Sequence, residues 1–199
     1  MSGADIVPPV PIETPRLLLR PWRDDDRDAF AALHADPAVM VDHVAPIDRR
    51  ASDAKFDRYA AAYDAVGYCR WCLESREGAF LGCVGMMPSP SGHPLGPHAE
   101  VGWRLARAAW GHGYATEAAR ASLDDVFARC DLSEVLAYTA PDNLRSQTVM
   151  SRLELRRDAA RDFSTPDGPR IWHGLTWVAT GAAMKTPQRQ RTNRLGSSG

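Results

Sequence analysis

The chain has 199 residues, of which 44% are hydrophobic and 25% are charged, and this composition excludes disordered, collagen-like and fibrous proteins. Its 24 basic and 25 acidic residues give a net charge of −1, which argues against a dedicated nucleic-acid-binding protein. A chain of this length buries roughly 70% of its unfolded surface, so one core without disulfides is expected.

The N-terminus lacks the basic and apolar regions of a secretory signal, and no apolar run approaches the roughly 18–20 residues of a membrane span. The four cysteines are too few for a disulfide scaffold in a chain of this length. We therefore expect a cytoplasmic protein with neither a membrane nor a nucleic acid as partner.

The composition divides the chain into three segments. Residues 1–11 are rich in proline and are expected to be flexible. Residues 12–184 are expected to form one domain. Residues 185–199 contain Lys185 and three arginines but no acidic residue, which predicts a basic, disordered tail.

Helix signals follow the first predicted strand, which spans Arg16–Arg20. Asp24–Asp26 offer capping carboxylates for a helix that ends near Ala35. A second helix is expected over Ser52–Ala65, because its apolar residues have helical spacing. The predicted buried stripe of this helix consists of Phe56, Tyr59, Ala60 and Tyr63.

Strand signals dominate the middle of the chain. Tyr68–Glu74 and Ala79–Met87 are separated by a four-residue connection and predict a hairpin. Residues 88–97 contain four prolines and two glycines and predict a loop. His98–Leu105 predicts a third strand of this region.

Strands and helices alternate in the second half, which indicates a mixed α/β sheet covered on both faces. Gly113–Cys130 is the clearest helix, followed by a strand at Glu134–Ala140 and a helix at Leu144–Leu153. Two late strands are expected near Leu155–Phe163 and Arg170–Thr180. The predicted buried face of the long helix consists of Ala115, Ala118, Ala119, Ser122, Leu123, Val126, Phe127 and Cys130.

A glycine-containing turn connects the strand that ends at Leu105 to this long helix. Unpaired amides at a helix N-terminus point outward at the positive end of the helix dipole, and glycine lets a phosphate approach them. The pattern predicts a phosphate or pyrophosphate site at residues 110–116. The Gly-Lys-Ser/Thr ending of a Walker loop is missing, and Thr116 stands where a dinucleotide-binding motif needs its third glycine. A purely structural turn is the alternative.

Five motifs occur in a characteristic order along the chain: Glu13–Arg20, Glu100–Trp103, Trp110–Ala118, Val135–Ala140 and Asn143–Ser146. In this order the sequence resembles the GNAT N-acetyltransferases, in the branch that contains the ribosomal-protein N-terminal acetyltransferases RimJ and RimL. The resemblance covers roughly residues 12–180. It implies an α/β (α+β) fold with a mixed, mostly antiparallel twisted sheet of about 6–7 strands flanked by about 4 helices.

The resemblance also implies acetyl-CoA as cosubstrate, an amine acceptor, no metal and a homodimer. Backbone amides of the glycine turn would bind the pyrophosphate, Asn143 would contact the pantetheine arm, and an amide near Trp103 or Leu105 would polarise the thioester carbonyl. The implied cofactor contacts are Trp103, Leu105, Trp110, Gly111, His112, Gly113, Tyr114, Ala115, Thr116, Asn143 and Ser146.

Acetyl transfer to an amine requires a base for the ammonium and a proton donor for the leaving thiolate. Glu100 lies near the start of the strand where the family often places a carboxylate base. Ser146 lies three residues after Asn143, where the branch places a serine near the sulfur. The tyrosine of many family members is replaced here by Met150, and their Gly-Phe pair by Glu154-Leu155. The structural alternatives are a solvent-exposed carboxylate at Glu100 and a helix-capping or first-turn residue at Ser146.

Histidines and cysteines outside these motifs have simpler interpretations. Cys69 and Cys72 lie three residues apart on a predicted strand, so they point to opposite faces and are expected to be buried rather than to bind metal. His98 shares a strand face with Glu100, and His93 lies in the adjoining loop, so these rings either line the acceptor site or are ordinary loop residues.

The resemblance favours a protein or peptide N-terminal amine as acceptor. Polyamines, aminoglycosides and amino acids are alternatives, because residues 36–67 and 88–98, which shape the acceptor site, contain no recognisable motif. A non-catalytic acyl-CoA-binding module is a further alternative, since the usual tyrosine is missing.

Overall fold

The computed structural model describes residues 10–41 and 45–184, without the side chains of residues 183 and 184. The predictions for the first nine residues and for the tail at 185–199 lie outside these ranges. No helix in the described ranges combines the length and the apolar character needed to cross a membrane.

Strands and helices alternate along the described chain. The strands are β1 (Ile12–Glu13), β2 (Leu17–Arg20), β3 (Arg70–Ser75), β4 (Phe80–Pro88), β5 (Ala99–Leu105), β6 (Glu134–Thr139), β7 (Arg156–Arg157), β8 (Phe163–Asp167) and β9 (Arg170–Thr180). The helices are α1 (Arg27–Ala35), α2 (Arg49–Val66), α3 (Tyr114–Arg129), α4 (Leu144–Arg152) and α5 (Gly181–Met184).

The strands form one sheet in the order β1-β2-β3-β4-β5-β6-β9-β7, and β8 also pairs with β9. All these pairs are antiparallel except β5 with β6, which are parallel neighbours joined through α3. The predicted mixed, mostly antiparallel sheet is confirmed. Within the described ranges the structure has seven strands of at least four residues and four helices of at least nine residues.

A gap opens between the two parallel strands at the centre of the sheet. Among the described residues β5 and β6 are paired only at Glu100 and Leu136. Gly102–Leu105 therefore lack strand partners on this side, while β4 pairs with their other side. Because the amides and carbonyls of a strand alternate between its two edges, some of these backbone groups face the gap.

Helices cover both faces of the sheet and position the groups on each side of the gap. On one face the Tyr59 hydroxyl of α2 lies 3.5 Å from Nη1 of Arg70 on β3. On the other face the Ser122 hydroxyl of α3 lies 3.6 Å from Sδ of Met86 on β4. The apolar core fills the space between these helices and the central strands.

The second helix begins earlier than predicted and buries a slightly different stripe. Its N-cap is Asp48, whose carboxylate accepts a hydrogen bond of 2.8 Å from the amide of Ala51, so the first turn forms ahead of Ser52. Ala60 is exposed, and Ala62 is buried in its place. The prediction for Ala60 was wrong because alanine is small enough to occupy either side of a helix and carries little positional information.

The strand predicted at Leu155–Phe163 is interrupted. The structure has the short β7, a 3-10 turn at Ala159–Arg161 and then β8. The Asp162 carboxylate accepts a hydrogen bond of 2.9 Å from the amide of Thr176, which replaces a backbone partner in the sheet. A side chain that satisfies the neighbouring strand in this way lets the backbone leave the ladder.

Candidate active site

A cavity of about 550 Å³ lies where the C-terminal end of β5, the glycine turn, α3 and α4 meet, and we name it the loop cavity. Ten of the eleven predicted cofactor contacts line it: Trp103, Leu105, Trp110, Gly111, Gly113, Tyr114, Ala115, Thr116, Asn143 and Ser146. His112 does not; it is exposed, and its ring stacks on Tyr114 with 5.4 Å between centroids.

The N-terminus of α3 leaves polar groups available to a ligand. Gly111 and Gly113 adopt left-handed backbone conformations with φ of 81° and 80°. Gly113 is the N-cap and has no side chain to accept the first-turn amides. The Thr116 hydroxyl oxygen is buried without a hydrogen-bond partner among the described residues. These donors and the helix dipole fit an anionic group such as a pyrophosphate.

Three arginines give the loop cavity a positive charge. Arg104, Arg145 and Arg152 line it, whereas no carboxylate does among the described residues. The Arg145 guanidinium lies 4.3 Å from the ring centroid of Trp110, whose indole N–H donates to the carbonyl of Leu105 at 2.8 Å. None of the three arginines was predicted from the sequence, although Arg145 lies inside one of the family motifs.

Asn143 and Ser146 occupy the first turn of α4. Asn143 is the N-cap, and its Oδ1 accepts a hydrogen bond of 3.1 Å from the amide of Ser146. Ser146 is therefore a first-turn residue of α4, as its alternative interpretation requires, and its amide takes part in capping the helix. Because both residues also line the loop cavity, capping does not exclude contact with a ligand.

The end of α4 keeps a compact turn despite the missing glycine. The amides of Glu154 and Leu155 donate to the carbonyls of Ser151 and Met150 at 2.9 and 3.1 Å, which is the hydrogen-bond pattern of a Schellman motif. Glu154 has φ of 59°, in the region that usually selects glycine. Met150 is buried in the core, so the tyrosine position of the family carries no polar group here.

A clamp holds the N-terminal segment against the glycine turn. The Glu117 carboxylate accepts hydrogen bonds from the Thr14 hydroxyl at 2.6 Å and from Nε of Arg16 at 2.7 Å. Nη1 of Arg16 donates to the carbonyl of His112 at 2.9 Å, and its guanidinium lies 4.8 Å from the ring centroid of Tyr114. Burial alone would raise the pKa of Glu117, but the hydrogen bonds from Thr14 and Arg16 lower it.

A second cavity, of about 700 Å³, lies under α2, and we name it the α2 cavity. Glu100 lines it, and Oε1 of Glu100 accepts a hydrogen bond of 2.8 Å from Nη2 of Arg70. Their side chains are 20% and 11% exposed, so Glu100 is not a solvent-facing carboxylate. Burial opposes the charge on Arg70, but Glu100 together with the weaker effects of Tyr59, Cys83 and Tyr138 raises the pKa of Arg70.

Gly102 makes room for this ion pair. A Cβ atom at Gly102 would lie 2.2 Å from Nη2 and 2.6 Å from Cζ of Arg70. The guanidinium therefore lies flat over the β5 backbone, where only glycine fits. The glycine in the Glu100–Trp103 motif has a physical reason that the sequence analysis did not provide.

Tyr138 is a candidate functional residue that the sequence analysis missed. It lies on β6 two residues after Leu136, the register partner of Glu100, and it lines the α2 cavity. Burial and the nearby Glu100 carboxylate raise the pKa of Tyr138. It lies inside the Val135–Ala140 motif, but that motif does not reveal its position beside Glu100, which depends on strand register.

His93 lies near the acceptor side of the sheet, as one of its two interpretations requires. Its ring stacks on Tyr138 with 5.1 Å between centroids and contacts the ring of His98 at 4.7 Å. Burial lowers the pKa of His93, so its neutral form is favoured.

The two cavities adjoin at Arg104, which lies on the stretch of β5 that borders the gap. Glu100 and Trp103 are three residues apart on β5 and therefore face opposite sides of the sheet. Glu100 lines the α2 cavity, Trp103 lines the loop cavity, and Arg104 lines both. An anionic ligand in the loop cavity and an amine beside Glu100 would thus bring their reacting ends together in the gap.

The cysteines have structural positions. Cys69 and Cys72 are both buried, and burial raises the pKa of Cys69 to about 12, which keeps this thiol protonated at neutral pH. Within the described ranges no group of three or more histidine, cysteine or acidic residues is arranged to hold a metal ion.

Comparison with known sequences identifies a family. Residues 16–156 match the acetyltransferase (GNAT) domain. The uncharacterized protein YkkB of Bacillus subtilis is 32% identical over 142 residues, which cover 70% of this chain and 81% of YkkB.

Two solved structures share the fold. The acetyltransferase from Agrobacterium tumefaciens has a TM-score of 0.74 and 26% identity, with 90% of this chain and 99% of that chain covered. RimJ of Mycobacterium smegmatis, solved in complex with CoA-disulfide, has a TM-score of 0.66 and 20% identity, with 85% and 84% covered.

Proposed function

This chain belongs to the GNAT acetyltransferase family and is an acyltransferase, and we propose that it moves an acetyl group from acetyl-CoA to a primary amine. The observation that carries this proposal is the loop cavity, where an uncapped helix N-terminus and three arginines surround a space without a carboxylate among the described residues. Assignment to the RimJ/RimL-like branch, a protein or peptide N-terminal amine as acceptor, a cytoplasmic location and a homodimer belong to the same proposal and follow from the resemblance.

The loop cavity suits each part of acetyl-CoA. The first-turn amides of α3 and the Thr116 hydroxyl would bind the pyrophosphate, with Arg145 and Arg152 nearby to neutralise its charge. The Trp103 and Trp110 rings offer apolar surface to the pantetheine arm. Acetyl-CoA supplies an activated thioester, and the unpaired backbone amides of Gly102–Leu105 are the groups that would polarise its carbonyl.

Two side chains on opposite sides of the gap would carry out the proton transfers. Glu100 is the base that takes a proton from the acceptor ammonium, directly or through a water, while Arg70 fixes the orientation of its carboxylate. Ser146, on the loop-cavity side, would donate its hydroxyl proton to the leaving thiolate. Most of the acceleration would come from positioning the two reactants across the gap.

Thermal unfolding with and without saturating acetyl-CoA tests the loop cavity first. Ligand at about 100 times its Kd stabilises the folded state by about 2.7 kcal/mol, which raises Tm by roughly 5–10 °C for a chain of this size. Adenosine diphosphate alone, which lacks the pantetheine arm and the thioester, should give a smaller shift. Absence of any shift with acetyl-CoA would contradict the proposal.

Release of free thiol in the presence of candidate amines then tests the transfer reaction. We expect turnover with at least one class among N-terminal peptides, amino acids, polyamines and aminoglycosides. The product is an N-acetylated amine, which mass spectrometry identifies by the added acetyl group. Acetyl-CoA binding without transfer to any of these amines would instead support a non-catalytic acyl-CoA-binding module.

A further inference from the structure

We propose that the α2 cavity accepts a primary amine that also carries a carboxylate, which Lys55 and Arg58 bind, and an apolar body, which an aromatic wall contacts. This inference rests on the proposed function, because it specifies the acceptor of the same reaction. It separates the possible acceptors by charge: amino acids and acidic peptide termini fit the cavity, whereas polyamines do not.

The charges that line the α2 cavity do not balance. Its two carboxylates are paired, Glu100 with Arg70 at 2.8 Å and Asp167 with Arg170 at 3.1 Å. Lys55 and Arg58 also line the cavity, yet neither forms an ion pair with any residue in 10–41 or 45–184. Two cationic side chains thus face a concave site with no counter-ion of their own in the described chain.

Lys55 gains most from a bound anion. Its Nζ lies 5.8 Å from the ring centroid of Tyr59. Burial, together with the nearby guanidinium groups of Arg104, Arg70 and Arg58, lowers the pKa of Lys55 to about 8. A carboxylate beside the ammonium would offset both the lost hydration and the repulsion between these cations.

Aromatic rings form the wall that would contact the rest of the acceptor. Tyr138 and Phe163 lie 5.2 Å apart in an edge-to-face arrangement, and Phe163 and Trp172 lie 5.5 Å apart. His93 completes the group through its stacking on Tyr138. All four residues line the α2 cavity. Such a wall favours an apolar or aromatic side chain over a flexible polycation.

The position of Glu100 places the amine relative to these two features. Glu100 lies on β5 at the gap, whereas Lys55 and Arg58 lie on α2. An amine with a nearby carboxylate can therefore present its nitrogen to Glu100 and its carboxylate to α2. A polyamine would bring a second cation toward Lys55 and Arg58, where it is repelled.

Matched acceptors test the charge preference directly. We expect kcat/KM for phenylalanine to exceed that for phenylalaninamide by at least about tenfold, because only the former offers a carboxylate. Acidic and neutral peptides, Ser-Asp-Phe-amide and Ser-Asn-Phe-amide, show whether the carboxylate comes from a free amino acid or from a peptide side chain. Spermidine as the best acceptor, or equal rates for charged and neutral members of both pairs, would overturn the inference.

Variants on α2 connect the preference to the named side chains. Lys55→Gln and Arg58→Gln should each reduce the preference for the charged acceptor, with little change for the amide. Arg50→Gln is the matched control, because Arg50 is exposed on the same helix and does not line the cavity. A preference that survives the double variant Lys55→Gln/Arg58→Gln would overturn the assignment.

A binding measurement separates this inference from the proposed function. Calorimetry with 3-phenylpropionate and 3-phenylpropionamide, which lack an amine and cannot be acetylated, reports the anion site without turnover. We expect the carboxylate to bind the wild-type protein at least about tenfold more tightly than the amide. If no amine is acetylated but this difference is present and lost in the double variant, the proposed reaction fails and the anion site stands. Equal affinity for the two probes would contradict the anion site whatever the enzyme's activity.

Discussion

The two cavities differ in the origin of the groups that line them. The loop cavity is built mainly from β5, the turn that follows it and the first turns of α3 and α4, with backbone amides as important as side chains. The α2 cavity is built from residues of α2, β3, β4, β5, β6, β8 and β9 and of the loop after β4. Short contiguous motifs encode the first cavity, and the sheet assembles the second from distant segments. A cavity built from short motifs can be recognised in a sequence, whereas a cavity assembled by strand register cannot.

Removing the Glu100 carboxylate of the α2 cavity should give the largest effect on turnover without affecting the loop cavity. Glu100→Gln keeps an oxygen that accepts from Arg70 but removes the base, so we expect kcat to fall by about 10²–10⁴. The Kd for acetyl-CoA, measured by calorimetry, should not change. Glu134→Gln is the control, since Glu134 lies on β6 paired with Arg161 outside both cavities. Unchanged turnover would remove Glu100 from the mechanism.

Ser146→Ala tests the proton donor on the loop-cavity side. Loss of a general acid typically lowers the rate by about 10²-fold or more. We expect kcat to fall by about 10²-fold, while the Kd for acetyl-CoA does not change. Ser151→Ala, an exposed serine on the same helix, should have no effect. If the two alanine variants have equal kcat, Ser146 acts only in the first turn of α4.

Gly113→Ala should weaken the loop cavity and leave the α2 cavity intact. An alanine at φ of 80° costs about 1–2 kcal/mol, and relaxation of the turn would move the α3 amides away from the pyrophosphate. The Kd for acetyl-CoA should rise about 5–30-fold, while binding of 3-phenylpropionate stays the same. Gly78→Ala, at φ of 86° in the turn between β3 and β4, imposes a similar strain without touching either cavity. An equal Kd for both variants would contradict a role for the turn.

The smallest expected effect is the pH dependence of anion binding in the α2 cavity. The pKa of Lys55 is about 8, with Arg104, Arg70, Arg58, the Cys83 thiol and the Tyr59 hydroxyl as the charged or titratable groups around it. Its ammonium is present at pH 7 and largely lost at pH 9, so the affinity for 3-phenylpropionate should fall about tenfold over this interval. Lys55→Arg keeps the charge and should flatten the profile. A wild-type profile that is already flat would show that Lys55 does not hold the carboxylate.

Most secondary structure was predictable because the sequence signals are local. The acidic run before α1, the hairpin of β3 and β4 and the apolar rhythm of α3 each lie within one short segment. The strand predicted at Leu155–Phe163 was interrupted because a distant partner decides the local structure there. The backbone at Asp162 leaves the sheet because its carboxylate binds the amide of Thr176, and no pattern near Asp162 indicates this contact.

The same distinction applies to the candidate site. The sequence by itself determined the family, the glycine turn and ten residues of the loop cavity, because these depend on residue types at fixed spacing within short motifs. Only the tertiary structure decided that Arg70 lies over Gly102 to hold Glu100, and that Tyr138 stands beside it. Only the tertiary structure also placed Lys55 and Arg58 opposite an aromatic wall. Strand register and the packing of α2 on the sheet bring these groups together, and both are set by burial across the whole core rather than by any local motif.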